Sequence, residues 1–269
     1  MKIIDIGTGT PIVLVPGIQG RWEWMTPAVE ALSKRCRVIT FSLADEPTSG
    51  AHFDERAGFM SYVQQIDDVL DATGVERATI CGISYGGLVA ATFAVRRPDR
   101  TAALVLASAI PPSWRPDERV RFLMRAPRLF SPLFCINSLR LFPEMAAAKR
   151  GILPGLSFAV GHVANVLAHR FSPRLMARRV RLLDGLNLEP ELTSLRLPTR
   201  VITGEAALDR VVPVQLTKDY LRFWPHASAV TIERTGHLGL VTRPDEFADL
   251  VVTFSEQASA SEAPRRRIV

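Results

Sequence analysis

Cysteine is scarce in this 269-residue chain: Cys36, Cys81 and Cys135 are odd in number and far apart. That spacing supports neither a disulfide framework nor a thiolate metal knot, and it points to reduced thiols. Long apolar runs are also missing. The longest lies near Ala102 to Ile110, short of the roughly 18 residues of a membrane helix, so no integral membrane segment is expected. At the N-terminus, Met1-Lys2-Ile3-Ile4-Asp5 meets an acid and then glycines. A signal peptide would need a continuous apolar core there, so a cytoplasmic location is the expectation. There is no internal repeat, and no nucleic-acid motif or aromatic-basic stacking surface, so nucleic acid is not an expected partner. No metal or cofactor is expected either.

What is present is ordinary for a globular protein: 47% hydrophobic and 22% charged residues, enough to bury a substantial core. Lys2 to Ile6 alternates weakly, as an edge strand would. Pro11 to Val15, Arg37 to Phe41, Ala78 to Cys81, Ala102 to Ala107, Thr199 to Thr203 and Ala229 to Ile232 are short apolar runs. Runs of this kind suit parallel strands covered on both faces. Between them, Thr26 to Ser33, Phe59 to Thr73 and Leu88 to Arg97 carry apolar residues at helical spacing, and a last helix is expected from about Pro244 to Ser255. Strands alternating with helices argue for an α/β class, doubly wound around a mostly parallel sheet. The alternation stops at Pro111. From 111 to 185 the chain reads as helices broken by prolines, an inserted helical lid, with the core at 1–110 and 186–256. Residues 257–269 are small, polar or basic and are expected to be a disordered tail.

The run Ile80-Cys81-Gly82-Ile83-Ser84-Tyr85-Gly86-Gly87 reads as strand, sharp turn, helix. A strained turn of that kind leaves no room for side chains two positions either side of its centre, which Gly82 and Gly86 satisfy. The Ser84 hydroxyl then stands at a helix N-terminus, where unpaired N–H groups favour developing negative charge. This is the geometry of a nucleophile elbow.

A serine hydroxyl needs a base to take its proton, commonly a histidine steered by a buried acid. Five histidines compete: His52, His162, His169, His226 and His237. Only His237 sits between a core strand and the last helix. For the acid, Asp209 follows the Thr199 to Thr203 strand, at the carboxyl end where open α/β sheets bind ligands. Glu205 in the same loop is a rival, behind Asp209 because Asp209 lies just before Val211-Val212-Pro213.

On these residues the chain resembles the α/β-hydrolase superfamily. The resemblance rests on Gly82-Ile83-Ser84-Tyr85-Gly86-Gly87, Pro16-Gly17-Ile18, Asp209 before Val212-Pro213, and Gly236-His237 before Arg243-Pro244-Asp245-Glu246-Phe247. It covers about 1–110 and 186–256. It implies an oxyanion hole formed by the N–H groups of Ile18 and Tyr85, and a catalytic triad of Ser84, Asp209 and His237. Pro16 stands where many members have histidine. The loop Phe41-Ser42-Leu43-Ala44-Asp45 lacks the Asp-x-Arg-Gly-x-Gly often found there.

The implied activity is cofactor-independent hydrolysis of an ester or related acyl bond in a small, fairly apolar molecule. Carbon-carbon cleavage of vinylogous diketones and ligand sensing on a hydrolase scaffold are the alternatives. Trp22, Trp114, Phe130 and Phe134 are candidates to line an acyl pocket, and could equally be core. The charge is uneven: 111–185 holds 13 Arg or Lys against four acids, so the whole excess behind the net +6 lies there. Arg121, Arg125 or Arg128 could draw an anionic substrate or an anionic membrane surface, or simply solvate a helix face.

Overall fold

The computed structural model describes residues 1–127, 129, 138–169 and 172–262. Seven strands form one sheet: β1 (Ile3–Ile6), β2 (Pro11–Val15), β3 (Arg37–Phe41), β4 (Ala78–Ile83), β5 (Thr101–Ala107), β6 (Thr199–Thr203) and β7 (Ser228–Thr231). Their order is β1-β3-β2-β4-β5-β6-β7. Only β1 runs antiparallel, pairing with β3 at the edge. These strands match the runs read from the sequence within two residues; the inner strands are buried on both faces, whereas the edge strands β1 and β7 are partly exposed. In β2, Val13 and Val15 join the core on one side of the sheet, while Ile12 and Leu14 join the other.

Helices α1 (Thr26–Ser33), α2 (Met60–Ala72) and α3 (Tyr85–Arg96) follow β2, β3 and β4. Between β5 and β6 lie α4 (Glu118–Arg125), α5 (Phe142–Ala148), α6 (Ile152–Ala168) and α7 (Pro173–Arg181), with no strand among the described residues. The long last helix, α8, spans Pro244–Glu262. Helices α2 and α3 cover the face bearing Val13, and α1 and α8 the face bearing Ile12.

The end of α8 corrects the expectation of a tail beginning at 257. Phe254 and Ala258, four residues apart, continue the stripe that packs on the sheet. The polar Ser255 is fully buried and shares a 2.6 Å hydrogen bond with Thr79. A run of small and polar residues thus conceals a packed helix face. No helix among the described residues is long and apolar enough to cross a membrane.

The chain passes from β2 outward to β3 and then returns to place β4 on the other side of β2. That reversal opens a crevice at the carboxyl ends of β2 and β4, the general ligand site of such sheets. Val15 is in register with Gly82, so the loops that follow these two strands begin side by side.

Candidate active site

Ser84 follows β4 with φ 52° and ψ −117°, then α3 begins at Tyr85. A non-glycine residue in that region is strained and is kept there only by its surroundings. A Cβ on Gly82 would lie 2.3 Å from the Gly86 carbonyl oxygen, and one on Gly86 2.3 Å from that of Pro16. Both glycines are therefore demanded by backbone approach. The turn is tied to its neighbours: Ser84 N–H donates to the Ala107 carbonyl at 2.9 Å, and its own carbonyl accepts from Ile110 at 3.2 Å.

The loop after β2 closes on itself through Gly20 N–H to Gly17 carbonyl, 2.9 Å. Ile18 N–H makes no hydrogen bond among the described residues. Tyr85 N–H occupies the first turn of α3, where a helix offers it no internal acceptor. Ile18, Ser84 and Tyr85 all border one cavity of about 190 Å³. The rest of its wall is almost wholly apolar, with Ile110 and Trp114 after β5, Met124 on α4 and Met176 and Val180 on α7.

His237 and Asp209 meet in the loops that follow β7 and β6; Val211 and Val212, next to Asp209 in its loop, line this cavity, and His237 lines a second, smaller one. His237 Nδ1 lies 3.4 Å from Asp209 Oδ2, a long contact, with both side chains nearly buried. Asp209 Oδ1 accepts the N–H groups of Val211 at 2.9 Å and Val212 at 3.0 Å. Burial alone would raise the Asp209 pKa, but His237 and these two N–H groups hold it below the ordinary carboxylate value. The two loops touch glycine to glycine. A Cβ on Gly204 would lie 2.4 Å from the Gly236 carbonyl oxygen, and one on Gly236 2.5 Å from the Leu208 carbonyl. Glu205 takes a different part: its Oε1 accepts Arg234 N–H at 2.6 Å and laces the histidine loop to the acid loop. No hydrogen bond joins Ser84 to His237 among the described residues. Such bonds are often long without substrate and tighten when it binds.

Three of the other histidines are occupied elsewhere. His162 stacks on Phe158, His169 is paired with Asn165, and His226 with the Leu197 carbonyl. Of the aromatic candidates, Trp114 lines the cavity, whereas Trp22 packs against the core beneath α1 and α8. Trp22 is thus a framework residue, on the side of the sheet away from the cavity wall. Phe130 and Phe134 lie outside the described residues. Arg121 is held by the Pro116 carbonyl at 2.9 Å, and neither it nor Arg125 reaches the cavity; Arg128 lies outside the described residues. The charged residue that does line the cavity, among those described, is Arg140.

Two residues of the inserted helices have no signal in the local sequence. Arg179 of α7 is wholly buried against Asp45 and Glu46. Glu144 of α5 is also wholly buried, and its Oε1 accepts Leu238 N–H at 2.7 Å, next to His237. Burial pushes the Glu144 carboxyl up to about 7, against the pull of the Gly236 and Leu238 N–H groups and of His237; Asp209 pushes it further up.

The sign of the consequence is fixed. Between its ordinary value and about 7 the folded protein holds a proton that the unfolded chain releases, so Glu144 makes stability fall as pH rises through that window. Glu144→Gln keeps the acceptor and removes the proton. Urea unfolding at pH 5 and pH 8 is expected to show the wild type losing about 2.5 kcal/mol relative to the variant between the two. A gap between them that does not change with pH would contradict this.

A family model described as "Alpha/beta hydrolase family" matches residues 12–250. Among its relatives, a pimeloyl-[acyl-carrier protein] methyl ester esterase from Aliivibrio salmonicida is 26% identical over 248 residues, covering 90% of each chain. A 2-hydroxy-6-oxo-2,4-heptadienoate hydrolase from Pseudomonas putida is 26% identical over 263 residues, 93% of this chain and 90% of that one. An esterase structure from Exiguobacterium antarcticum superposes with a TM-score of 0.76 over 94% of both chains at 18% identity, a likeness of fold.

Proposed function

This chain belongs to the alpha/beta hydrolase family and is a hydrolase, and from that premise we propose that it cleaves an ester or related acyl bond of a small, largely apolar molecule through an acyl-enzyme. The observation that carries this reading is the strained Ser84 at the head of α3 on the wall of an apolar cavity, together with the pairing of His237 and Asp209. In the proposed cycle His237 takes the Ser84 proton as the oxygen attacks the carbonyl carbon. Asp209, kept ionised, orients the ring and stabilises the imidazolium. The Ile18 and Tyr85 N–H groups receive the oxyanion, each worth roughly 10²–10³ in turnover. The imidazolium then protonates the leaving alcohol, and water, deprotonated by His237, releases the acid.

Residues 111–185 act in this reading as the cover of the site, since α4 and α7 supply much of the cavity wall. A wall of this kind favours short, uncharged acyl groups against Ser84. A panel of p-nitrophenyl esters from acetate to dodecanoate tests the reading, with kcat/KM expected to peak at short chains. No turnover anywhere in the series would contradict it.

Carbon-carbon bond cleavage is the second reading, favoured by the relative that acts, by its name, on a heptadienoate. Turnover of a vinylogous diketone acid in preference to every ester would select it. Arg140 bears on both readings, because a cation beside an apolar cavity suits a substrate whose far end is a carboxylate. Arg140→Gln is expected to raise KM about tenfold for a methyl monoester of a dicarboxylic acid and to leave the matching dimethyl ester within twofold. Equal effects on the two esters would contradict that role.

A further inference from the structure

Helix α7 has two sides with different work. Pro173, Met176, Ala177 and Val180 line the cavity. Arg179, between them in sequence, points away from it and beneath the loop after β2. Its side chain has no exposed surface, and neither has that of Asp45. The guanidinium donates to Asp45 Oδ1 from Nε at 3.1 Å and from Nη2 at 2.6 Å, and to Glu46 Oε1 from Nη2 at 2.7 Å. Its remaining arm, Nη1, donates to the Ile18 main-chain carbonyl at 2.8 Å. The main-chain carbonyl of Arg179 accepts the Tyr85 hydroxyl at 3.2 Å. One residue of the inserted segment therefore holds both Ile18 and Tyr85, the two residues of the cavity wall to which the proposed cycle assigns the oxyanion.

The loop is shaped for this contact. Gly20 has φ +77°, and a Cβ there would lie 2.4 Å from both Nη1 and Nη2. Only glycine lets the guanidinium rest on the turn and reach Ile18. A buried ion cluster is itself a poor stabiliser, since desolvation offsets most of its attraction. What the planar, five-donor fork provides is fixed direction: two carboxylates from the loop after β3 aim it, and its third arm pins the Ile18 carbonyl, one peptide unit on from the Ile18 N–H. This also gives a role to the stretch Asp45-Glu46, which the family pattern left unassigned.

We propose that Arg179 is a positioning residue for the oxyanion hole, so that seating of the inserted helices and alignment of the Ile18 and Tyr85 N–H groups are a single event. The proposal rests on the hydrolase reading above, and it concerns the height of the barrier at Ser84, not the fit of substrate. A lysine at 179 keeps a positive charge for Asp45 and Glu46 but cannot reach them and Ile18 together.

The test uses the full chain with Arg179→Lys, assayed on p-nitrophenyl butyrate and inhibited by phenylboronic acid, whose tetrahedral adduct on Ser84 occupies the oxyanion site. The expected result is a kcat lowered about 10- to 100-fold with KM within twofold, and a boronate inhibition constant raised by a similar factor. A folded variant with unchanged kcat and boronate affinity, or with its loss confined to KM, would overturn the proposal. Should Arg179→Lys not fold, Tyr85→Phe decides: it removes only the hydroxyl that bonds the Arg179 carbonyl, and kcat and boronate affinity must again fall together, by about threefold or more. Wild-type protein that turns over no ester and ignores the boronate would fail the hydrolase reading itself, a result distinct from an active wild type matched by its variant.

Discussion

Ser84→Ala is expected to lower kcat by roughly 10⁵- to 10⁶-fold on whatever acyl substrate the wild type turns over best, leaving a residue of activity from the oxyanion donors and binding alone. The size follows from the change of mechanism. Without the hydroxyl no acyl-enzyme forms, and water must attack directly from a position the site does not organise. Folding should be preserved, because alanine is smaller than serine and the φ 52° turn is enforced by Gly82, Gly86 and the main-chain bonds to Ala107 and Ile110, none of which uses the hydroxyl. KM is expected to change little. Progress curves at high enzyme concentration, with thermal melting as the fold control, measure this. A variant within tenfold of wild type would remove Ser84 from the chemistry.

Asp209→Asn carries the second largest effect, roughly 10⁴-fold in kcat. Asp209 Oδ1 is committed to the Val211 and Val212 N–H groups. An asparagine must keep its carbonyl oxygen there, which turns its NH₂ toward His237 Nδ1. Nδ1 then becomes an acceptor and the ring proton moves to Nε2, the nitrogen that must take the serine proton. The imidazolium also loses its counter-charge. Stability should barely change, since both main-chain bonds survive. Glu205→Gln is the control. It keeps an acceptor for Arg234 N–H and should retain most activity. If Glu205→Gln loses the activity and Asp209→Asn keeps it, the acid has been misassigned.

The sheet was legible because its central strands are buried on both faces, which writes them as apolar runs, while the edge strands β1 and β7 are partly exposed. β4 is buried along its whole length, and its sequence Ala78–Ile83 carries no charge. The elbow was legible for a related reason: steric demands at Gly82 and Gly86 act within two residues of Ser84, so they leave a local pattern. Asp209 and His237, singled out by chain order and position at strand ends, come within 3.4 Å of each other.

Arg179 and Glu144 were not found, because their partners lie far away in sequence. Arg179 meets Asp45 across 134 residues and Glu144 meets Leu238 across 94. In a segment with 13 basic residues nothing local marks Arg179 from its neighbours; the one available hint was an uncompensated Asp45-Glu46 pair after a buried strand. The same limit drew the expectation of a substrate cation to Arg121, Arg125 and Arg128, when among the described residues the charged side chain at the cavity is Arg140. The helix beyond Ser255 was missed because its residues are mostly polar and exposed and only Ala258 continues the stripe against the sheet.

The most direct test of the central claim, an activated Ser84, is intact-mass analysis after exposure to a fluorophosphonate, wild type beside Ser84→Ala. One adduct per chain, mapped to the peptide containing Ser84 and absent from the folded variant, is the result expected. Well-folded wild type that stays unlabelled, or a label that persists in Ser84→Ala, would contradict it.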